Sequence, residues 1–192
     1  MFFVTARSQT RQCWSPAARA LSDITPFNGQ WGGARVLSTV SSVEIASEAR
    51  AAGADVTINY REEDVVTRVM DETSGEGADH ICEVEFGGNI RTTEQIIKAN
   101  GCVSIYAPKG ELNPVMPMDV FMGRNIKAWP FMLPITPLND RENAQADIAT
   151  WIGEVKRIHR VAGEFPLAET VATHELVASK TKRGTVIVLP QE

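Results

Sequence analysis

From Ala34 onward, short apolar runs alternate with segments whose apolar residues recur at helical spacing. The runs predict strands over Ala34–Val40, Asp55–Tyr60, Ala78–Phe86 and Cys102–Ala107. The segments between them predict single helices over residues 42–54, 61–77 and 89–101, each followed or ended by glycine. Strands joined by single helices require right-handed crossovers and a parallel sheet. The pattern therefore predicts an α/β, doubly wound, mostly parallel fold.

The second half of the chain has a looser pattern. A connection rich in proline and methionine, with room for one short helix, leads to a predicted strand over Ile126–Leu133. Pro130 has no N–H for a central ladder, so this strand is predicted at an edge. A long amphipathic helix is predicted over Pro137–His159, another helix over Phe165–Lys180, and a terminal strand over Gly184–Pro190.

Composition narrows the class of partner. The chain has 192 residues, 43% of them hydrophobic, and a net charge of −5, which argues against nucleic acid or an anionic membrane as the main partner. Three scattered cysteines, Cys13, Cys82 and Cys102, fit a reducing compartment better than a disulfide framework. The opening MFFV is too short for a signal peptide core, and no apolar run reaches membrane-spanning length. We therefore expect a cytoplasmic protein with a small-molecule partner and no membrane.

Two segments, AGADVTINYREED and HELVASKTKRGTVIVLP, carry a family resemblance. With the runs around them, over Ala34–Pro190, the chain resembles the coenzyme domain of the medium-chain dehydrogenase/reductases. Within that superfamily it is similar to the zinc-free quinone oxidoreductase branch related to zeta-crystallin. The resemblance implies NADP as cofactor, no zinc, and hydride transfer to a quinone or enone-type carbonyl. Members of the family carry a separate N-terminal catalytic domain, which we do not find in this sequence.

The segment before Ala34 departs from the resemblance. The family places a first strand and a glycine-rich turn there, whereas Trp14–Asn28 supplies neither. We therefore divide the chain into an atypical leader, residues 1–33, and a Rossmann-like coenzyme-binding domain, residues 34–192, with a disrupted first βαβ unit. A missing central strand would leave unpaired edges in the middle of the sheet. FFVTA, residues 2–6, is the β-like candidate for a substitute within the leader, and a partner chain is the alternative.

The codons of Trp14–Asn28 offer an origin for this leader. Read from the third base of each codon, the degenerate code permits a G-x-G-x-x-G fingerprint after a short apolar run. We hypothesise that the segment is an ancestral glycine loop translated out of frame. The alternative is an unrelated leader with permissive codons, and the nucleotide sequence decides between them.

Two serines directly after the strand predicted over Ala34–Val40 form the first candidate cofactor contact. No acidic residue stands at this tip, where one would select NAD through the ribose hydroxyl, and Glu44 already lies in the next helix. By resemblance, Ser41 and Ser42 favour NADP, although Ser42 is equally a helix N-cap. Many family members carry a lysine where this chain has Ile45, a departure that weakens phosphate affinity.

The other candidate contacts also lie at predicted strand ends. Tyr60 matches a family tyrosine at the adenosine phosphate end, with an exposed strand-end tyrosine as the alternative. Phe86 ends the strand predicted over Ala78–Phe86 and Gly87 follows it, while Ala107 ends the strand predicted over Cys102–Ala107, beside the expected nicotinamide. For these three positions, ordinary strand-end turns explain the sequence equally well.

No catalytic residue and no metal site are predicted. The three histidines, His80, His159 and His174, lack both metal-ligand spacing and a nucleophile partner, so a structural or surface role is favoured. Two function hypotheses therefore stand. One is an NADPH-dependent quinone-reductase-like protein; the other is a non-catalytic remnant or interaction module that binds little or no cofactor. In either case a homodimer through the Ile126–Leu133 edge is expected, because Trp129 suits an interface.

Overall fold

The protein is described here by a computed structural model that covers residues 2–6, 33–107, 110–154, 161–179 and 184–190. These residues belong to two compact units, Met1–Val155 and Lys156–Glu192. The elements of the first unit are, in chain order, β1 (Phe2–Ala6), β2 (Ala34–Val40), α1 (Val43–Ala51), β3 (Val56–Asn59), α2 (Val65–Glu72), β4 (Ala78–Glu83), α3 (Phe86–Ile96), β5 (Ile97–Ile105), α4 (Met118–Gly123), β6 (Lys127–Pro130) and α5 (Leu138–Glu154).

One six-stranded sheet organises the first unit, with the strand order β3-β2-β1-β4-β5-β6. The pairs β2–β3, β4–β5 and β5–β6 are parallel. Strand β1 is antiparallel to both of its neighbours, with Phe2 opposite Ser38 and Ala6 opposite Ala34. The expected α/β, Rossmann-like fold is confirmed, and β1 is the one strand of this sheet that runs against the others.

The expectation of an unpaired gap in the middle of the sheet is wrong. The segment FFVTA fills the space between β2 and β4, as the substitute-strand alternative predicted. Backbone N–H and C=O groups inside a sheet must find partners, and aromatic and β-branched residues favour strands. The hydrogen-bond requirement of the sheet is thus met by a strand of opposite direction. Trp14–Asn28 lies outside the described residues, and the division at residues 33 and 34 stays a prediction.

The two faces of the sheet carry different helices. On one face, apolar side chains from the strands pack against α2, α3 and α4 in a single core, which includes Leu37, Ile58, Ile81, Val103, Val69, Phe86, Ile90 and Phe121. On the other face, Arg50 of α1 donates a hydrogen bond to Thr57 Oγ1 at 2.6 Å. Successive residues of a strand point to opposite faces, so Thr57 and Ile58 lie on different sides. The helices therefore cover both faces, as a doubly wound fold requires.

Several element boundaries differ from the prediction around α3. Strand β4 ends at Glu83, because Phe86 and Gly87 already belong to the first turn of α3. Strand β5 begins at Ile97, five residues before the predicted start at Cys102. Ile96 and Ile97 are both buried, so burial there does not distinguish the end of a helix from the start of a strand.

Strand β6 occupies the sheet edge that Pro130 predicts. The N–H of Phe131 donates to the carbonyl of Ile105 at 3.0 Å. Donors along an edge strand alternate in direction, so the N–H of Ala128 points away from β5, as does the ring nitrogen of Pro130. The proline therefore removes no ladder hydrogen bond. The predicted helix beyond this strand is confirmed as α5, with Trp151 only 1% exposed, while residues 155–159 lie outside the described part.

The second unit is a small β-α-β element. It contains β7 (Val161–Pro166), a short 3₁₀ turn at Leu167–Glu169, α6 (Thr170–Ala178) and β8 (Thr185–Leu189), and β7 pairs with β8 in parallel. The predicted terminal strand is confirmed. The predicted helix begins at Thr170 rather than at Phe165, because Pro166 restrains the residue before it to an extended conformation.

None of the helices in the described ranges is long and apolar enough to cross a membrane.

Candidate nucleotide-binding site

The carboxyl ends of the parallel strands define the candidate site. Strands β2 to β6 end on one edge of the sheet, at Val40, Asn59, Glu83, Ile105 and Pro130. In open α/β sheets, ligands bind outside this edge. Because β1 is antiparallel, its last residue, Ala6, lies at the opposite edge beside Ala34.

The tip of β2 presents two hydroxyl groups. Ser42 caps α1, and its Oγ accepts a hydrogen bond from the N–H of Ile45 at 3.4 Å. The predicted N-cap is therefore confirmed. The Ser42 hydroxyl keeps its own proton to donate, because a cap uses only a lone pair of the oxygen. Ser41 and Ser42 are both partly exposed, and Glu44 lies in the first turn of α1 rather than at the strand tip.

The tip of β3 lies beside these serines in a rigid turn. The N–H of Tyr60 donates to the carbonyl of Val40 at 3.1 Å, which places Tyr60 next to the end of β2. The Asn59 carbonyl accepts the N–H groups of Glu62 and Glu63 at 2.9 and 2.8 Å. The Asn59 side chain accepts the N–H of Arg61 at 3.2 Å, and the Glu63 carboxylate accepts the N–H of Asn59 at 2.8 Å.

This turn holds Tyr60 and Arg61 at the edge with their side chains in solvent. Tyr60 is 53% exposed. The guanidinium of Arg61 is exposed and forms no ion pair with any of the described residues. The sequence analysis missed Arg61, although its position directly after the predicted contact Tyr60 was a usable signal.

The tip of β4 contains a fully buried carboxylate. Glu83 Oε1 accepts the backbone N–H of Glu85 at 2.7 Å and the Asn89 side-chain amide at 3.0 Å. Its Oε2 has no hydrogen-bond partner within the described part of the chain. Both bonds fix the turn into α3, so Glu83 positions the start of that helix.

Two of the predicted contacts lie in this first turn of α3. The side chain of Phe86 is only 5% exposed and packs in the core. Gly87 is partly exposed, and a Cβ there would collide with the backbone of Glu111. A Cβ at Gly110 would likewise lie 2.8 Å from the N atom of Gly88. The loop at residues 110–111 thus covers the N-terminus of α3.

Aromatic rings follow the tips of β5 and β6. The ring centroids of Tyr106 and Phe131 are 6.2 Å apart, and those of Trp129 and Phe131 are 6.4 Å apart. Burial raises the pKa of the Tyr106 hydroxyl, and the nearby Cys82 and Glu83 raise it further, so the phenol stays protonated. Ala107 follows Tyr106 and is partly buried. These rings form an apolar wall beside the position predicted for the nicotinamide.

The histidine of β4 has a structural partner. His80 Nε2 lies 2.9 Å from Ser104 Oγ on β5, and burial lowers the pKa of His80, which favours the neutral imidazole. Burial also raises the pKa of the neighbouring Cys102 thiol, so that thiol is a poor nucleophile. Across the described ranges, no three His, Cys, Asp or Glu side chains are arranged to hold a metal ion.

The tips of β2 and β3 present hydroxyl and cationic groups at this edge. The pyrophosphate of a dinucleotide normally sits in the turn that leaves the central strand, against the N-terminus of the following helix. Here the central strand β1 ends at the opposite edge, so the described residues provide no such turn at the carboxyl edge.

Comparison with known proteins agrees with the fold. The family model described as zinc-binding dehydrogenase matches residues 30–135. A 2-haloacrylate reductase from Burkholderia sp. is 26% identical in an alignment of 168 residues that covers 83% of this chain and 49% of that protein. The chain therefore spans about half the length of this curated relative.

Solved structures of dehydrogenases and reductases also match this chain over about half of their own length. A mycobacterial quinone oxidoreductase superposes with a TM-score of 0.71 at 24% identity, over 87% of this chain and 53% of that one. The alcohol dehydrogenase TADH from Thermus sp. ATN1 superposes with a TM-score of 0.73 at 20% identity, over 88% of this chain and 49% of that one. Family members are oxidoreductases that depend on NAD or NADP. Because the family match covers more than half of its residues, the chain belongs to the zinc-binding dehydrogenase family of the medium-chain dehydrogenase/reductase superfamily.

Proposed function

We propose that this chain is the coenzyme-binding part of an NADPH-dependent quinone oxidoreductase-like protein. The acceptor would be a quinone or an enone-type carbonyl. One similar structure is named a quinone oxidoreductase, and the curated relative is named a 2-haloacrylate reductase. Bound NADPH supplies the hydride, while the protein contributes orientation and the exclusion of water.

The choice of NADP over NAD is supported by the tip of β2. Ser41 and Ser42 offer hydroxyl donors, and the first carboxylate, Glu44, lies in α1. A carboxylate at the strand tip would repel a 2′-phosphate, whereas hydroxyl groups hydrogen-bond to it. Many family members carry a lysine at the position of Ile45, and Arg61, at the adjacent tip of β3, supplies a cation in its place.

Calorimetric titration of the purified chain with NADPH and with NADH tests this proposal. We expect micromolar binding with NADPH preferred, and assays with quinones and enones would follow. Equal affinity for both cofactors would contradict the assignment of NADP. No heat and no thermal stabilisation at millimolar cofactor would contradict cofactor binding altogether.

The reversed direction of β1 favours a second candidate function. The described part of the chain completes the sheet without a phosphate-binding turn at the carboxyl edge, and such a sheet suits a non-catalytic module that keeps the fold but not the turnover. In that case the chain would reduce no quinone at any NADPH concentration, although it would be folded and would unfold cooperatively on heating.

We also propose a homodimer through the edge strand β6. Lys127, Ala128 and Trp129 are exposed there, and an exposed edge is a template for pairing with another strand. Substituting Ala128→Pro removes an outward N–H that a partner strand would use. Size-exclusion chromatography with light scattering should show a dimer for the native chain and a folded monomer for A128P; a native monomer at high concentration would contradict the proposal.

The acidic net charge and the scattered cysteines support a cytoplasmic protein whose ligand is a small molecule rather than nucleic acid. Cell fractionation with a tagged chain tests this location.

A further inference from the structure

We propose that the described fold binds a 2′-phosphorylated adenosine mononucleotide as tightly as it binds the whole dinucleotide. The proposal rests on the NADP site proposed above and limits that site to one half of the cofactor. Its ligand class is 2′-phosphoadenosine nucleotides, of which 2′,5′-ADP is the available probe.

Among the described residues, β1 ends at the opposite edge and places no pyrophosphate turn at the site. Ala6 lies opposite Ala34, the first residue of β2, whereas the candidate site begins beyond Val40, the last. Six residue steps separate Ala34 from Val40, which is about 20 Å at about 3.3 Å per residue. A turn that leaves Ala6 therefore begins at the far edge of the sheet.

Protein groups already contact the N-termini of α1, α2 and α3 at the carboxyl edge. Ser42 caps α1, and Asp64 caps α2 by accepting the N–H of Thr67 at 2.8 Å. The backbone at Glu111 packs on Gly87 in the first turn of α3, and the carboxylate of Glu83 takes the N–H of Glu85. A pyrophosphate could not reach these N–H groups without displacing a protein group.

The adenosine half meets a different situation. The turn from Asn59 to Glu63 is fixed by the hydrogen bonds given above, so Tyr60 and Arg61 are presented without a large ordering cost. The carboxylate of Glu63 is engaged by Arg68 at 3.0 Å and by the Asn59 N–H. Its charge is therefore largely compensated, and Arg61 remains available to pair with a phosphate.

The decisive experiment compares three ligands by calorimetry: 2′,5′-ADP, NADPH and 5′-AMP, which lacks the 2′-phosphate. We expect the dissociation constants of 2′,5′-ADP and NADPH to agree within about threefold, and 5′-AMP to bind at least about tenfold more weakly. Arg61→Ala should abolish the preference for the 2′-phosphate and leave 5′-AMP binding unchanged. A merely structural role of Arg61 would weaken all three ligands together and would overturn its assignment.

Two other outcomes separate this proposal from the proposed function. If NADPH binds more than about tenfold more tightly than 2′,5′-ADP, the pyrophosphate and nicotinamide find a site. The proposal is then overturned and the reductase function stands. If none of the three ligands binds, both the proposal and the cofactor part of the proposed function are overturned.

A cross-linking experiment tests the direction of β1 independently. With the natural cysteines replaced by alanine, Phe2→Cys with Ser38→Cys places two cysteines on an opposed antiparallel pair, within disulfide reach. Ala6→Cys with Ser38→Cys is the matched control, because a parallel β1 would bring position 6 rather than position 2 towards the end of β2. Oxidation should cross-link the first pair alone, and cross-linking of the second pair alone would overturn the proposal.

Discussion

Placing a proline in β1 tests the central position of this strand most directly. Val4 pairs with Val36 on one side and with His80 on the other. Val4→Pro deletes an N–H inside the sheet and forces φ to about −65°, away from the value near −140° of antiparallel strands. The variant therefore perturbs both halves of the sheet at their junction.

The magnitude follows from the backbone. An unsatisfied buried acceptor costs about 1–3 kcal/mol. Distortion of the ladder adds to this, so we expect V4P to lower the free energy of unfolding by about 3–5 kcal/mol. Single domains of ordinary stability have about 5–15 kcal/mol in total. This loss of stability should consequently lower the denaturant midpoint strongly or leave the chain partly unfolded without denaturant.

The matched control is Ala128→Pro in β6. The N–H of Ala128 points away from β5, as shown by the bond from Phe131 to Ile105, so proline removes no ladder bond there. We expect a change below about 1 kcal/mol in this variant. Urea denaturation followed by tryptophan fluorescence, with Trp151 buried as a reporter, measures both variants at concentrations where the chains are monomeric. Equal effects of the two prolines, or a V4P variant as stable as the native chain, would refute the central position of β1.

Substitutions at three further positions test the contacts within the first unit. Glu83→Gln keeps an acceptor for the N–H of Glu85 and should change the unfolding free energy by about 1 kcal/mol or less. Glu83→Ala leaves that N–H unpaired beside a cavity and should lower the unfolding free energy by about 2–4 kcal/mol. Equal losses of the two variants in urea denaturation would contradict the role of Glu83 as an acceptor for this N–H. Thr93→Val should raise the unfolding free energy by about 0.5–1 kcal/mol, because Thr93 Oγ1 is buried without a hydrogen-bond partner in the described ranges, and a loss of stability would show that the hydroxyl has one. The hydrogen bond from Arg35 lowers the pKa of Glu72 below its ordinary value of 4.5, so its stabilisation is complete above that pH and is lost as the pH falls through the folded-state pKa. The difference in stability between the native chain and Glu72→Gln, about 1 kcal/mol at pH 7, should shrink steadily in acid, and a constant difference down to pH 2 would contradict the assignment.

Much of the parallel sheet could be predicted because its signals are local. Each strand from β2 to β4 is a short apolar run that begins shortly after a glycine and is followed by a helix start, and β2 matches its predicted bounds, Ala34–Val40. Pro130 predicted an edge, because an absent N–H has only a few places in a sheet. The N-cap at Ser42 could also be predicted, because a hydroxyl directly before a helical segment accepts a backbone N–H of the first helical turn, here that of Ile45.

The features that sequence could not predict depend on distant partners. The five residues of FFVTA favour a strand, but nothing in them specifies its direction or its neighbours, because both are set by β2 and β4. The start of β5 at Ile97 was hidden for a similar reason, since Ile96 and Ile97 are apolar and buried on either side of the boundary. Strand β7 was missed because its sequence, VAGEFP, lacks a continuous apolar run and becomes a strand by pairing with β8.

The central strand separates the requirements of folding from those of cofactor binding. To complete a sheet, a strand need only offer its N–H and C=O groups in register, and an antiparallel strand does so as well as a parallel one. To bind a pyrophosphate, the same strand must also deliver its next residues to the edge where the other strands end. In this chain β1 meets the first requirement and not the second, because Ala6 and Val40 lie at opposite edges. Stability and cofactor affinity should therefore respond to different substitutions, with V4P reducing the first and Arg61→Ala reducing only the second.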